Sequence, residues 1–176
     1  TAIIVVMSIG EGTRNLILSQ LQGLGSRTMF IAPGKDTQGP GFSMLFVDSL
    51  KDRELQAIKK KSNVPTLQDI TPLLMIPGSI SYDSSLFHPT TVGSAPELQE
   101  ILDMQIAEGI FINNDDILQK TLTMVIGSNV ADVLFGDSTA IGEKIIFKQK
   151  KFRVIGVLRQ KGRVGLFNVD DMAIVP

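Results

Sequence analysis

Two short runs that alternate apolar and polar residues, Lys144-Ile145-Ile146-Phe147-Lys148 and Phe152-Arg153-Val154-Ile155-Gly156-Val157, flank Lys150-Lys151. A period of two sends every second side chain to the same face, so the pattern predicts a β-hairpin with Lys150 and Lys151 at a solvated tip. Leu122-Thr123-Met124-Val125-Ile126 has defined ends and mostly β-branched or apolar side chains, and reads as a buried strand. Thr90-Thr91-Val92-Gly93-Ser94 and Met172-Ala173-Ile174-Val175-Pro176 read as two more, and Thr28-Met29-Phe30-Ile31-Ala32 as a strand stopped by Pro33-Gly34.

Helical patterns are interspersed with these strands. Ile17, Leu21 and Leu24 recur at four and three residues, so 2–24 is expected to be helical, with Gly10 and Gly12 marking a close contact or a bend. Asp48 or Ser49 is expected to cap a helix whose buried side is Leu50, Leu55 and Ile58 and whose end carries Lys59, Lys60 and Lys61. Asn113 or Asn114 caps a turn of helix through Ile117, and Ser128 starts a helix over Asn129 to Phe135 that Gly136 closes. Residues 66–82 read as extended chain broken by Pro72 and Pro77, and 97–107 as a short helical or turn-rich stretch. Strands and helices mix without a steady βαβ rhythm, which predicts an α+β fold.

Composition removes several chemistries. The 176 residues contain no cysteine and one histidine, so a disulfide, a thiolate nucleophile and a histidine-rich metal centre are excluded. Seventeen basic against eighteen acidic residues give a formal charge of -1, so no overall field gathers nucleic acid. The apolar run Thr1–Ile9 falls short of the roughly 20 residues that span a bilayer and lacks the basic start of a secretory leader. A beginning inside such a run leads us to expect a piece of a longer protein, cut just beyond a membrane helix.

No motif assembles a catalytic site or calls for a cofactor. Gly10-Glu11-Gly12 lacks dinucleotide spacing, and Pro33-Gly34-Lys35-Asp36 lacks the hydroxyl that follows the lysine of a phosphate loop. His88 stands near Ser84, Ser85 and Asp83, where catalysis would need an unusual local geometry. Asp115-Asp116 and Asp170-Asp171 supply oxygen ligands without the spacing of a calcium loop, so capping and turn formation are the expectation. Met44, Leu45 and Phe46, beside a Gly-Pro-Gly loop, are the apolar candidates for a partner or substrate contact, and Lys150 and Lys151 the basic ones.

The succession of local motifs resembles the extracytoplasmic core domain of the MacB/FtsX-like ABC-transporter permeases. It is carried by Ser8–Gly12 with Gln20–Gly25, Phe30–Gly34, Ala107–Asp116, Met124–Ala131, Leu134–Gly136, Ala140–Glu143 with Phe152–Leu158, and Asp170–Pro176. The resemblance implies a stalk helix rising from the membrane through Gly10 and Gly12 and gripped through Ile17, Leu21 and Leu24. It implies two lobes: a porter-like α/β lobe over 1–74 and 161–176, incomplete at its C-terminal end, and an inserted β-rich Sabre-like lobe over 75–160. It implies no catalytic residue in this region, ATP hydrolysis in a separate domain or subunit, and a dimer in the full transporter. A periplasmic adaptor or an extracellular protein is the implied partner, and the cell membrane the implied location. Gly109-Ile110 stands where the family often has Gly-Arg, so that arginine's ion pair is absent or replaced. A substrate-binding module for a peptide, lipid or drug, using 35–47 and the inner face of the second lobe, is the alternative reading.

Overall fold

The computed structural model describes residues 28–31 and 51–176. Helix α1 (Asp52–Lys59) leads into β1 (Leu73–Met75), β2 (Ile80–Tyr82), β3 (Ser85–Phe87) and β4 (Thr90–Ser94). Helix α2 (Leu98–Ile101), β5 (Ile106–Gly109), α3 (Asn114–Leu118), β6 (Thr123–Ile126) and α4 (Ser128–Phe135) follow. The chain ends through β7 (Lys144–Phe147), β8 (Lys150–Leu158), β9 (Arg163–Val164), β10 (Phe167–Asn168), a 3-10 turn (Val169–Asp171) and β11 (Met172–Val175).

Nine of these strands form one sheet, in the order β1-β4-β11-β6-β8-β7-β2-β3, with β5 beside the far half of β8. The pairs β11–β4 and β6–β8 are parallel and the rest antiparallel, which makes this a mixed α/β fold. β8 is long enough to serve two neighbours along one side: Lys150–Arg153 pair with β7, and Gly156–Leu158 pair with β5. β9 and β10 make a separate small hairpin.

All four residues of β6 and of β11 are buried, as expected for central strands covered on both faces. Alternation sends their side chains into two cores. On the first face Val92, Val125, Leu158 and Ile174 meet Leu98, Leu102, Phe167 and Val169. On the second, Met124, Ile126, Ala173 and Val175 meet Val130, Leu134 and Phe135 of α4. That helix can pack closely because Gly127, its N-cap, has no Cβ; one would stand 2.3 Å from the carbonyl oxygen of Asp170. Gly136 ends it at φ 57° and ψ -125°, a conformation open to glycine and avoided by residues with a Cβ.

Several expectations are corrected here. Thr28–Ile31 form no strand: Met29 is exposed, Phe30 stacks on Phe167 at 5.6 Å between ring centroids, and the Thr28 hydroxyl donates to the carbonyl of Ile101 at 3.4 Å. Residues 66–72 are irregular, since the bulk of the extended stretch between Pro65 and Pro77 finds no partner strand and only Leu73–Met75 pair, with β4. The hairpin turn is Lys148-Gln149, and Lys150-Lys151 are the first residues of β8. The last strand, β11, lies inside the sheet, hydrogen-bonded between β4 and β6. The caps Asp48 and Ser49, and the helix expected over 2–24, lie outside the described residues; α1 is capped from Lys51, whose amide donates to Glu54 Oε2 at 2.9 Å.

Candidate functional site

Two surfaces carry concentrated polar chemistry. The first is a shallow cleft of about 240 Å³ where the start of α4 meets the 3-10 turn before β11. Asn129 donates to one oxygen of Asp171 at 2.6 Å, and Asn168 donates to the other. Asp170 accepts from the amides of Lys161, at 2.8 Å, and Gly162, at 3.0 Å. Both carboxylates are therefore engaged by donors of the protein itself, and they tie the β8–β9 loop and α4 to the sheet. The Asp116 carboxylate is similarly engaged, by the amide of Asn113 at 3.0 Å and the Thr121 hydroxyl at 2.8 Å. Asn113 Oδ1 accepts from the Asp116 amide in return, completing a capping box on α3. Among the described residues no three acidic or histidine side chains converge as a metal site would require.

The second surface is the β7–β8 hairpin with its neighbours β2 and β3. Lys144, Lys148, Lys150, Lys151 and Arg153 are all exposed. Register decides which of them act together. Lys151 pairs with Ile146, and Lys144 with Arg153, on one face; Lys150 pairs with Phe147 on the other. The two adjacent lysines expected to act together at a tip thus point to opposite sides of the sheet. The signal that identifies the group on one face is spacing by two along each strand, combined with a turn position that the residue types alone leave open.

His88 is exposed between β3 and β4, away from the residues that line the polar cleft. Ile17, Leu21, Leu24, Gly10, Gly12, Met44, Leu45 and Phe46 lie outside the described residues. Gly109 carries its own constraint: at φ 78°, with the carbonyl oxygen of Ile155 2.2 Å from where a Cβ would sit, it lets β5 close on β8 just past the register shift between Ile106 and Glu108. The following residue, Ile110, is exposed and donates its amide to Ile155 at 2.9 Å, so the position where the family often has arginine points an apolar side chain at solvent.

The family model described as "MacB-like periplasmic core domain" matches residues 1–176. The macrolide export ATP-binding/permease protein MacB of Bdellovibrio bacteriovorus is 30% identical over 177 residues, covering 99% of this chain and 27% of that protein. The pyoverdine export ATP-binding/permease protein PvdT of Pseudomonas aeruginosa is 24% identical over 164 residues, covering 92% of this chain and 23% of that protein. The chain thus spans about a quarter of the length of these relatives. Among solved structures, the periplasmic region of MacB from Actinobacillus actinomycetemcomitans superposes with a TM-score of 0.69 at 22% identity, over 91% of this chain and 69% of that one. The extracellular domain of the transporter YknZ from Gram-positive bacteria gives a TM-score of 0.61 at 17% identity, over 72% of this chain and 62% of that one. The chain belongs to the MacB-like periplasmic core domains, the non-catalytic extracytoplasmic part of MacB-like ABC transporter permeases.

Proposed function

We infer that this domain relays force, coupling ATP hydrolysis in a cytoplasmic domain or subunit to export or other work outside the membrane through contact with a protein partner. The observation that carries the reading is the build of the sheet. Both faces of its central strands are packed into apolar cores, and packed cores move as pieces rather than deforming continuously. A displacement delivered at one edge is then delivered to the whole slab. The apolar stripe Ile17, Leu21 and Leu24 would fasten an incoming stalk helix to that body, with Gly10 and Gly12 as its hinge. Met44, Leu45 and Phe46, with Lys150 and Lys151, supply contact residues. A second lobe nearer the membrane, a dimeric full transporter and a periplasmic adaptor or extracellular partner complete the reading. Within it, the membrane-proximal lobe takes 1–74 and 161–176 and the β-rich lobe 75–160, with β11 joining the two through the shared sheet.

The test is Leu21→Asp in the complete transporter. A carboxylate in the gripping stripe should leave ATP hydrolysis measurable and abolish export, since burying an unpaired charge costs several kcal/mol, on the order of what the packed helix gains. Unchanged export by a folded variant would overturn the relay.

A further inference from the structure

The chain has a net charge of -1, yet the ten residues from Lys144 to Arg153 hold five of its seventeen basic side chains and no acidic one. Among the described residues none of the five takes part in an ion pair; the pairs there are Arg53–Glu54 and Lys161–Asp103. More pointedly, Lys144 and Arg153 stand directly opposite each other across β7 and β8. The Arg153 amide donates at 2.9 Å to Leu122 on its other side, so this is the non-hydrogen-bonded kind of pair, whose side chains lie closest. Like charges in that position destabilise a sheet. No hydrogen bond or ion pair among the described residues uses these two side chains, and local rules broken without structural return mark places kept for function.

The same face has an apolar side. The next row runs Lys151, Ile146, Ser81, Leu86 across β8, β7, β2 and β3. Ile146 is 44% and Leu86 57% exposed on a face that neither α2 nor α4 covers. Glu143, the nearest acid in sequence, has its carboxylate engaged by Tyr82, which packs with the second core.

We propose that this open face of β8, β7, β2 and β3 is the docking surface for an acidic segment of a partner protein. Lys144 and Arg153 jointly hold a carboxylate that relieves their mutual repulsion, and Ile146 and Leu86 receive an apolar side chain beside it. Three cations, Lys144, Lys151 and Arg153, beside the apolar Ile146 and Leu86 fit an extended or loop segment bearing acids at every second residue. A nucleic acid strand would call for stacking aromatics, and the described residues of this face present none. The proposal deepens the relay reading by giving its partner a chemistry.

The experiment uses the chain by itself with a labelled peptide of Glu-Leu-Glu-Ser repeats, a Gln-Leu-Gln-Ser control, and vesicles of phosphatidylcholine with phosphatidylglycerol. The acidic peptide should shift the backbone amide resonances of 144–153 and 81–86 and lose affinity with salt, while the control does nothing. Lys144→Glu replaces a like-charged pair by an opposite one. It should raise Tm by about 1–3 °C and weaken peptide binding about tenfold. Binding that maps elsewhere, is unaffected by Lys144→Glu, or occurs to the vesicles and not to the peptide would overturn the proposal, as would a Tm that falls. Because no transport is measured, this outcome is separate from that of Leu21→Asp.

Discussion

Tyr82 is the chain's one tyrosine, and with no tryptophan present its ionisation can be followed by absorbance without interference. Its hydroxyl donates to Glu143 at 3.0 Å, which holds the proton and raises the phenol above its ordinary value; partial removal from water and the charges of Glu143 and Asp83 act in the same direction. A group whose folded value is raised contributes stability that is complete below the unfolded value and is lost as pH rises through the folded one, here in the alkaline range. Glu143→Ala should move the phenolate midpoint downward; a midpoint that stays put would show the hydrogen bond to be absent in solution. Gly127 is an opposite case, in which a missing atom matters. Its φ of -71° suits any residue, so Gly127→Ala tests contact alone: the new methyl would meet carbonyl oxygens of Asp170 and Val169 at 2.3 and 2.5 Å. Forcing α4 off the sheet should cost about 1–3 kcal/mol in urea unfolding, whereas a neutral result would mean that the helix start gives way freely.

Among the elements, the β7–β8 hairpin shows how far pattern reading reaches. Period-two alternation announces two strands, but the turn is fixed by backbone conformation, and the two residues that adopt it, Lys148 at φ 46° and Gln149 at φ 65°, belong to types that avoid this region. A two-residue connection with both φ positive is the hairpin turn that ordinarily takes Asn-Gly. Substituting Asn-Gly for Lys148-Gln149 should therefore stabilise the domain by about 1 kcal/mol in denaturant midpoint, with unchanged stability counting against this register. The sequence left Asn113 and Asn114 open as the cap of α3; the structure chooses Asn113 and completes the box with Asp116 three residues on. β2, β3, β5, β9 and β10, of two to four residues each, were not read as strands of their own. They are too short for alternation to show; β2 and β5 are made by pairing with the distant β7 and β8, and β3, β9 and β10 by hairpin pairing with a neighbour.

For the whole molecule, the sheet order ranks stability. β6 and β11 are central, buried on both faces and joined to each other, so their amides should exchange most slowly with deuterium, while β1 and β3 at the two edges should exchange first. Equal protection across edge and centre would contradict this ranking. The last strand illustrates the reach of tertiary structure. Met172–Val175 are recognisable as a strand from their residue types, but that they pair with both β4 and β6, parallel to one and antiparallel to the other, depends on residues about 50 to 80 positions away.

The sequence by itself determined which runs are strands or capped helices, the exclusion of thiolate and histidine-rich chemistry, and family membership, because each depends on residue type at short spacing or on the succession of motifs. Only the tertiary structure decided that Lys150 and Lys151 part company, that Lys144 confronts Arg153, and that Asp170 and Asp171 are engaged by loop and helix donors. Those facts depend on turn conformation and on partners far away in the chain, where residue type at short range carries no information about which face a side chain will share.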